Sequence, residues 1–403
     1  MADELFPLSV MRPAWEIRAG LGCLREWLSA LRPGGAQVAL RPRESVRRLA
    51  TQLAGFSDKW SDSGADVVFL SGRITSLPAV PQTPAALLDR GGRVLWTRMT
   101  GAAASSLLDL AGTELAEALV KQIAGGVPLE SVGGHSARYV WDFMADNDKL
   151  LLAGFGSPTE KLLGSSRFTV GGGVAVIGSH PAYVGEGSHL YPGVVLDTSD
   201  GPIWIGREVT VEPHTFLRGP LAFGHHGRIK AGTTLYMNST FGPHCRVSGE
   251  ISNSIMQGYV NKQHAGFLGN SHLGEWVNLG ADTTVSNLRN DYGNVKVKLP
   301  HELVDSGRQF VGLLCGDHTK TGINTMFNTA AVVGVGANVF GAGYPARHIP
   351  SFTWGGVRGS HIEPLERTLE SARIAMPRRD RELSQAEIEV LTEHYMHITK
   401  QEK

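Results

Sequence analysis

From Ile205 onward an apolar residue falls on every sixth position: Ile205, Val211, Leu217, Phe223, Ile229, Leu235, Phe241 and Val247. An earlier register holds Val184, Leu190 and Leu196, and later ones hold Phe267, Leu273, Leu279 and Val285, then Phe327, Val333 and Val339. Interruptions at Asp197-Thr198-Ser199-Asp200 and from Asn290 to Arg308 separate the registers. A period of six suits neither a helix nor a flat alternating strand; it is the signature of a hexapeptide-repeat β-helix. Each hexad supplies one short strand and one turn, so three hexads make a triangular coil of about 18 residues. The repeated apolar residue points inward, and coils stacked at ~4.8 Å bury a continuous core. Glycine often follows the inward residue, as at Gly206, Gly224, Gly242, Gly274, Gly280 and Gly334. There it marks a turn that needs positive φ or a small residue.

The flanks follow other patterns. Residues 1–155 alternate apolar runs (Gln37-Val38-Ala39-Leu40, Asp66 to Leu70, Arg93 to Trp96) with helical stretches (Glu44 to Ala54, Ala104 to Ala124), which predicts an α/β domain. The boundary is expected between Gly126 and Gly164, with the β-helix over 165–357. A helical tail follows over 358–403, opened by the capping box Ser384-Gln385-Ala386-Glu387 and suited to cap the solenoid or pack on a partner subunit. Inside the Asn290–Arg308 interruption, Val295-Lys296-Val297-Lys298-Leu299 alternates like an exposed strand and predicts an arm projecting from the coil.

Lys plus Arg equals Asp plus Glu at 38 each, so no global field draws the chain to nucleic acid or to an anionic membrane. Cys23, Cys245 and Cys315 are far apart and in no CxxC spacing, which fits buried thiols in a reducing compartment and neither a disulfide frame nor a zinc site. The opening MADELFPLSVMRP lacks the basic start and apolar core of a signal peptide, so the expected location is cytoplasmic. No two of the 15 histidines stand five residues apart, which argues against a metal-hydratase solenoid, and no metal site is expected in the β-helix.

Polar, titratable residues gather in Gly249 to Ser254, Asn261 to Asn270 and Val277 to Asp282. Three hexads return the chain to the same face, so Asn278 and Asp282 lie roughly one coil from His264, and Arg246 and Glu250 one coil on the other side. The stretch Asn261-Lys262-Gln263-His264-Ala265-Gly266-Phe267-Leu268-Gly269-Asn270, followed by Val277-Asn278-Leu279-Gly280-Ala281, resembles the acetyltransferase half of the bifunctional N-acetylglucosamine-1-phosphate uridyltransferase/glucosamine-1-phosphate acetyltransferases. A match covering most of the chain is to their sugar nucleotidyltransferase relatives, through Phe6 to Arg18, Trp141-Asp142, Gly316 to Thr325 and Ile349 to Gly356. The resemblance implies a left-handed β-helix, a homotrimer, and acetyl-CoA bound between subunits.

Acyl transfer to an amine needs a base, and a neutral imidazole suits that task near pH 7. His264 is the candidate base, Glu250 could orient it, and Asn278 could stabilise the oxyanion. Lys262, Arg246 and Lys296, with Asn287, are the candidates for a sugar phosphate; Ser248 stands where a second arginine would be sought. Ala281, Ala331 and Arg347 are the candidates for the acetyl-CoA arm and its phosphates, with Arg378-Arg379 as a further cationic pair. Each has a plainer reading: a hydrogen-bonded turn histidine, an asparagine in the left-handed turn conformation, solvated cations, tightly packed alanines.

The N-terminal region lacks the glycine-rich phosphate loop of active nucleotidyltransferases, and its Asp66–Leu70 strand runs into Ser71-Gly72-Arg73, where an arginine cannot ligate a cation. Only Asp142 or Asn147 could offer an oxygen ligand, so Mg²⁺ enters only if nucleotidyl transfer is retained. The sequence thus predicts an acetyl-CoA-dependent acetyltransferase acting on an amino-sugar phosphate or nucleotide amino sugar, in sugar-nucleotide or cell-envelope biosynthesis. The alternatives are a sugar-1-phosphate nucleotidyltransferase and a non-catalytic trimeric scaffold that binds a nucleotide sugar.

Overall fold

In the computed structural model the chain is described over residues 3–31, 39, 41–54, 66–75, 83–89, 91–130, 135–154 and 169–401. Short strands recur three to a coil and pair in parallel with their equivalents one coil away, as Ile203↔Leu221 and Val211↔Ile229 do across 18 residues. They form three faces. The first holds nine strands in consecutive order from Ala182–Val184 to His348–Ile349. The second runs from Thr169–Val170 to Asn261–Lys262, continues through single-residue bridges at Asn278, and resumes with Lys320–Thr321. The third begins with Ala175–Ile177 and reaches Phe267–Gly269.

All eight residues of the central register are at most 1 % exposed, and they form the long core of the solenoid. The later register needs a correction: Leu268, not Phe267, points inward. Phe241 pairs with Met256 across 15 residues and Met256 with Leu273 across 17, and in the second of these coils Leu268 stands five residues before Leu273, where the six-residue count slips. The role of the glycines also differs from expectation. Those that follow inward residues have no positive φ; instead they let successive coils touch, so that a Cβ on Gly242 would lie 1.8 Å from the Gln257 carbonyl oxygen. At one corner the left-handed conformation is taken by Glu208, His226, His244, Tyr259, Trp276 and His318. The last five form an aromatic ladder with near-parallel rings, closest at Tyr259–Trp276, 4.2 Å.

The N-terminal region meets the expected α/β domain only in part. Its four-stranded sheet, ordered Val67–Leu70, Val94–Met99, Ala85–Leu88, Leu129–Glu130, has two antiparallel pairings and one parallel one, which is not a doubly wound nucleotidyltransferase sheet. The helix expected from Ala104 is broken: Ala111 is extended, and the long helix is Gly112–Ala124. Gln37, Val38, Leu40 and, within the expected boundary, residues 131–134 and 155–164 lie outside the described residues. Two other segments pack on the first face of the solenoid: Leu5, Phe6, Leu8 and Ile17, with Tyr139, Val140, Trp141 and Phe143, join Ile255, Leu314 and Val332 in one core. The same core takes Val295, Val297 and Leu299, so the expected arm does not project; it is a hairpin (Lys296–Lys298 with Leu303–Asp305) folded back onto the N-terminal segments. The tail forms helices Leu365–Ala375 and Gln385–Gln401, and Ser384 and Glu387 complete the capping box. Leu369, Val390 and Leu391 cover Val335 and Phe352 at the end of the solenoid. Cys23, Cys245 and Cys315 are buried, and burial pushes the thiols up, Cys245 to about 12.

One charged residue stands in the inward stack. On the second face the inward residues run Leu190, Val211, Ile229, Val247, Lys262, Leu279, Thr321, Val339. Lys262 is 1 % exposed, and its ammonium donates to the carbonyls of Ser248 (3.0 Å), His264 (2.9 Å) and Ala265 (3.2 Å). All three N–H groups are committed inside the protein, which corrects the expectation that Lys262 meets a phosphate. Burial lowers its pKa to about 8 from an ordinary value of 10.5. Between those values the unfolded chain binds more protons than the folded one, so the lysine's contribution to stability rises with pH. Relative to Lys262→Met, wild type should therefore gain ~3 kcal/mol of unfolding free energy between pH 8 and 10.5, measured by urea titration at each pH. A flat difference would show that the ammonium is not desolvated.

Candidate active site

The turn after Asn261–Lys262 carries His264, an exposed residue in a bend. Its geometry is set from beneath by the Lys262 ammonium, which ties the carbonyls of His264 and Ala265 to that of Ser248 in the coil before. Gly249 makes room for this: with φ at +84°, a Cβ there would stand 2.9 Å from Lys262 Nζ and 3.1 Å from the His264 oxygen. Among the described residues no hydrogen bond holds the His264 ring, so it is not the satisfied turn histidine of the plainer reading.

One coil on, Asn278 sits between Asn261 and Lys320 as a single extended residue of the ladder, with an exposed side chain and no left-handed φ. An open cleft of about 380 Å³ runs along this face and corner, lined among others by Asn261, Gln263, His264, Asn278, Ala281 and Ile323. The structure thus brings His264, Asn278 and Ala281 together. Asn261, Gln263, Thr321 and Ile323 also line the cleft and were not singled out from the sequence. The first two lie in the quoted Asn261–Asn270 motif and the other two in the quoted Gly316–Thr325 motif. Thr321 accepts from the Gly280 amide 41 residues away, a neighbour visible in sequence only once the Asn290–Arg308 interruption is subtracted from the coil count.

Charge on this side is positive. Arg246 is the strand partner of Asn261, and Arg379, from the tail, donates to Asn261 Oδ1 at 3.3 Å. Burial first, and then neighbouring guanidinium groups, lower the pKa of both: Arg228 and Arg378 act on Arg246, and Arg246 and Arg378 act on Arg379. Among the described residues none of Arg246, Arg378 and Arg379 has a carboxylate in ion-pair contact, so the cluster keeps its charge for an anion.

The remaining candidates lie elsewhere. Glu250 is exposed at the start of a third-face strand and makes no hydrogen bond to His264. Asn287 donates to Asn270 Oδ1 (2.8 Å) at another corner. Ala331 is 1 % exposed inside the core, where no pantetheine arm can reach it. Arg347 is exposed beside the last strand of the first face, and Lys296 lies on the folded-back hairpin; neither lines the cleft. Nor do the residues considered for Mg²⁺ fit an ion. Asn147 is fully buried, its Oδ1 accepting from the Gly20 amide and the Thr240 hydroxyl, and Asp142 caps helix Val140–Ala145 and pairs with Arg308. Arg73 is paired with Glu4.

No protein-family model matches the chain. It is 33 % identical over 91 residues to a bifunctional sugar-1-phosphate nucleotidylyltransferase/acetyltransferase of Sulfurisphaera tokodaii, covering 23 % of each chain. It is 35 % identical over 116 residues to the bifunctional protein GlmU of Methanocaldococcus jannaschii (29 % of this chain, 26 % of that one). With GlmU of Rippkaea orientalis the identity is 30 % over 146 residues (36 % and 27 %). The chain thus spans about a quarter of the length of these relatives. Among solved structures, the UDP-N-acetylglucosamine acyltransferase from Campylobacter jejuni aligns at TM-score 0.23 and 14 % identity, over 55 % of this chain and 81 % of that one. TM-scores this low do not establish a shared arrangement of the whole chain. What the sequence comparisons establish is a distant, partial similarity to the bifunctional nucleotidyltransferase/acetyltransferases.

Proposed function

We propose that this chain is an acetyl-CoA-dependent acetyltransferase acting on an amino-sugar phosphate or a nucleotide amino sugar, working through a left-handed solenoid in a homotrimer. The observation that carries the reading is the pair His264 and Asn278, both exposed and both lining one cleft beside an unneutralised arginine cluster. The acceptor amine attacks the thioester carbonyl carbon; a C–N bond forms, the C–S bond breaks, and CoA leaves as thiolate. His264 takes the proton from the attacking nitrogen and returns it to the thiolate sulfur. Asn278 donates its side-chain N–H to the carbonyl oxygen as negative charge develops there. Arg246, Arg378 and Arg379 supply charge-assisted contacts to the phosphates of donor or acceptor.

The trimer is supported by exposed apolar side chains that continue from the cleft: Ile323 is 73 % exposed, and Trp354 (41 %) meets Phe340 (38 %) edge-on. A second copy laid across them would cover the patch and close the open side of the cleft.

The primary test is thiol release from acetyl-CoA with a panel of amino-sugar phosphates and nucleotide amino sugars. Turnover should appear with one acceptor, fall by ~10²–10⁴ in His264→Ala and by ~10²–10³ in Asn278→Ala. If His264→Ala matches wild type, or no acceptor is used, the reading fails. Arg378→Ala/Arg379→Ala should raise KM for the phosphate-bearing partner by about tenfold with kcat nearly unchanged, the pattern of lost uniform binding. Sedimentation equilibrium should give three chains per particle, and Trp354→Asp should shift the mass downward and lower turnover with it; a monomer with full activity would remove the trimer from the proposal.

A further inference from the structure

The arginine cluster beside the His264 cleft is built from two distant parts of the chain. Arg246 stands on the second face as the strand neighbour of Asn261, and Arg228 stands one coil before it. Arg378 and Arg379 come from the short helical turn Met376–Arg379 between the tail helices. Met376 and Ala372 seat that turn by packing against Trp276, and Arg379 then donates to Asn261 Oδ1 at 3.3 Å. Asn278 continues the same ladder one coil beyond Asn261.

The rungs of a strand ladder are ~4.8 Å apart, so the register measures how far each cation stands from the reacting pair. Counted from Asn278, the rung of Asn261 with its bound Arg379 lies at ~5 Å and that of Arg246 at ~10 Å. The phosphates of donor and acceptor lie at different distances from the atoms that react. A covalent chain extends by ~3.5 Å for every three bonds. In acetyl-CoA about thirteen bonds separate the thioester sulfur from the nearest phosphorus, a reach of about 15 Å with the arm extended, which overshoots the cluster. In an amino sugar whose amine neighbours the anomeric carbon, about four bonds lead from nitrogen to a first phosphorus and about six to a second, reaches of ~5 Å and ~7 Å. A guanidinium meets a phosphate oxygen at ~2.8 Å, so Arg379 is placed for the first phosphate and Arg246, one rung further out, for the second.

The surroundings of the cluster agree with this division. On the far side of Asn278 the cleft is walled by Gly280, Ala281, Gly322 and Ile323, uncharged residues that suit the uncharged arm of the donor. Donor and acceptor then approach the reacting pair from opposite sides. Before Arg246 the ladder continues through Arg228 to Thr210, polar residues that offer nothing to an acyl lipid and suit a nucleoside beyond the second phosphate.

We infer that the acceptor is an amino sugar carried on a nucleoside diphosphate, with Arg379 of the tail on its first phosphate and Arg246 of the solenoid on its second. The inference rests on the reading of His264 and Asn278 as the reacting pair. It makes the tail a part of the acceptor site as well as the cover of the last coil.

Isothermal titration calorimetry on the full chain, with UDP-glucosamine, glucosamine-1-phosphate and CoA, tests this. UDP-glucosamine should bind about tenfold more tightly than glucosamine-1-phosphate, as one further charge-assisted hydrogen bond supplies. Arg246→Gln should weaken UDP-glucosamine by about tenfold and leave glucosamine-1-phosphate within about twofold of wild type, whereas Arg379→Gln should weaken both. CoA should bind equally well with and without saturating UDP-glucosamine. No binding of UDP-glucosamine, equal affinity for the two amino sugars, a preference that survives Arg246→Gln, or competition between CoA and UDP-glucosamine would overturn the inference and leave acetyl transfer by His264 standing. The expected affinities without thiol release in the turnover assay would instead remove the reading of His264 and leave a diphosphate-sugar site on this face.

Discussion

A coil of this solenoid has no interior of its own; its inward side chains are buried only when the next coil stacks on it. Every other feature depends on that contact. It explains why Ile205 to Val247 repeat at six and are fully buried, and why glycine follows the inward residue. At Gly242 the neighbouring coil's carbonyl occupies the place of a side chain, so any Cβ would push the stack apart. It also explains why the C-terminal end is covered, since an open last coil would expose the column to water. The tail helices place Leu369, Val390 and Leu391 over one end, and the N-terminal segments lie along the first face.

Lys262 is the exception that connects the core to the cleft. A charge in the apolar column is expensive unless its hydrogen bonds are complete, and here three carbonyls complete them. Two of those carbonyls belong to the turn that carries His264. The energy of burying the ammonium therefore fixes the backbone under an exposed imidazole, which otherwise would rest on a short surface turn with nothing beneath it. The same logic places a rigid ladder under Asn278: it is bonded through the backbone to the coils on both sides.

Much of the solenoid was legible because a period of six has no competing explanation, and the tail helix was legible because its capping box is local. The failures have physical causes. Phe267 was read as inward because the count steps six residues to Leu273, whereas the inward Leu268 is only five before it, in a coil of 17 residues from Met256 to Leu273. The hairpin alternates apolar and charged residues as any half-buried strand does, and sequence alone does not say what covers the buried half; the covering residues, such as Tyr139 and Trp141, lie far upstream. Lys262 was read as a ligand for phosphate because a lysine beside a histidine looks exposed, and only its place in the column shows otherwise. The residues around the cleft were legible where one coil separates them, as His264 and Asn278 are, and not where an interruption intervenes, as with Thr321. The N-terminal sheet was misjudged because short apolar runs do not reveal whether their pairing is parallel.

The shortened coil is also where the chemistry gathers. A regular stack repeats the same corner at the same height, and each corner residue then differs from its neighbours only in side chain. Val247 and Lys262 pair across 15 positions, so the coil between them is shorter than the 18 residues that separate Val211 from Ile229. The cleft with His264 lies immediately after that irregularity, and the long interruption from Asn290 to Arg308 lies between the two coils that supply its far wall, Asn278 to Ala281 and Thr321 to Ile323. Departures from the repeat thus flank the site on both sides, as expected when regular coils provide rigidity and the irregular ones provide a shape that can be specific.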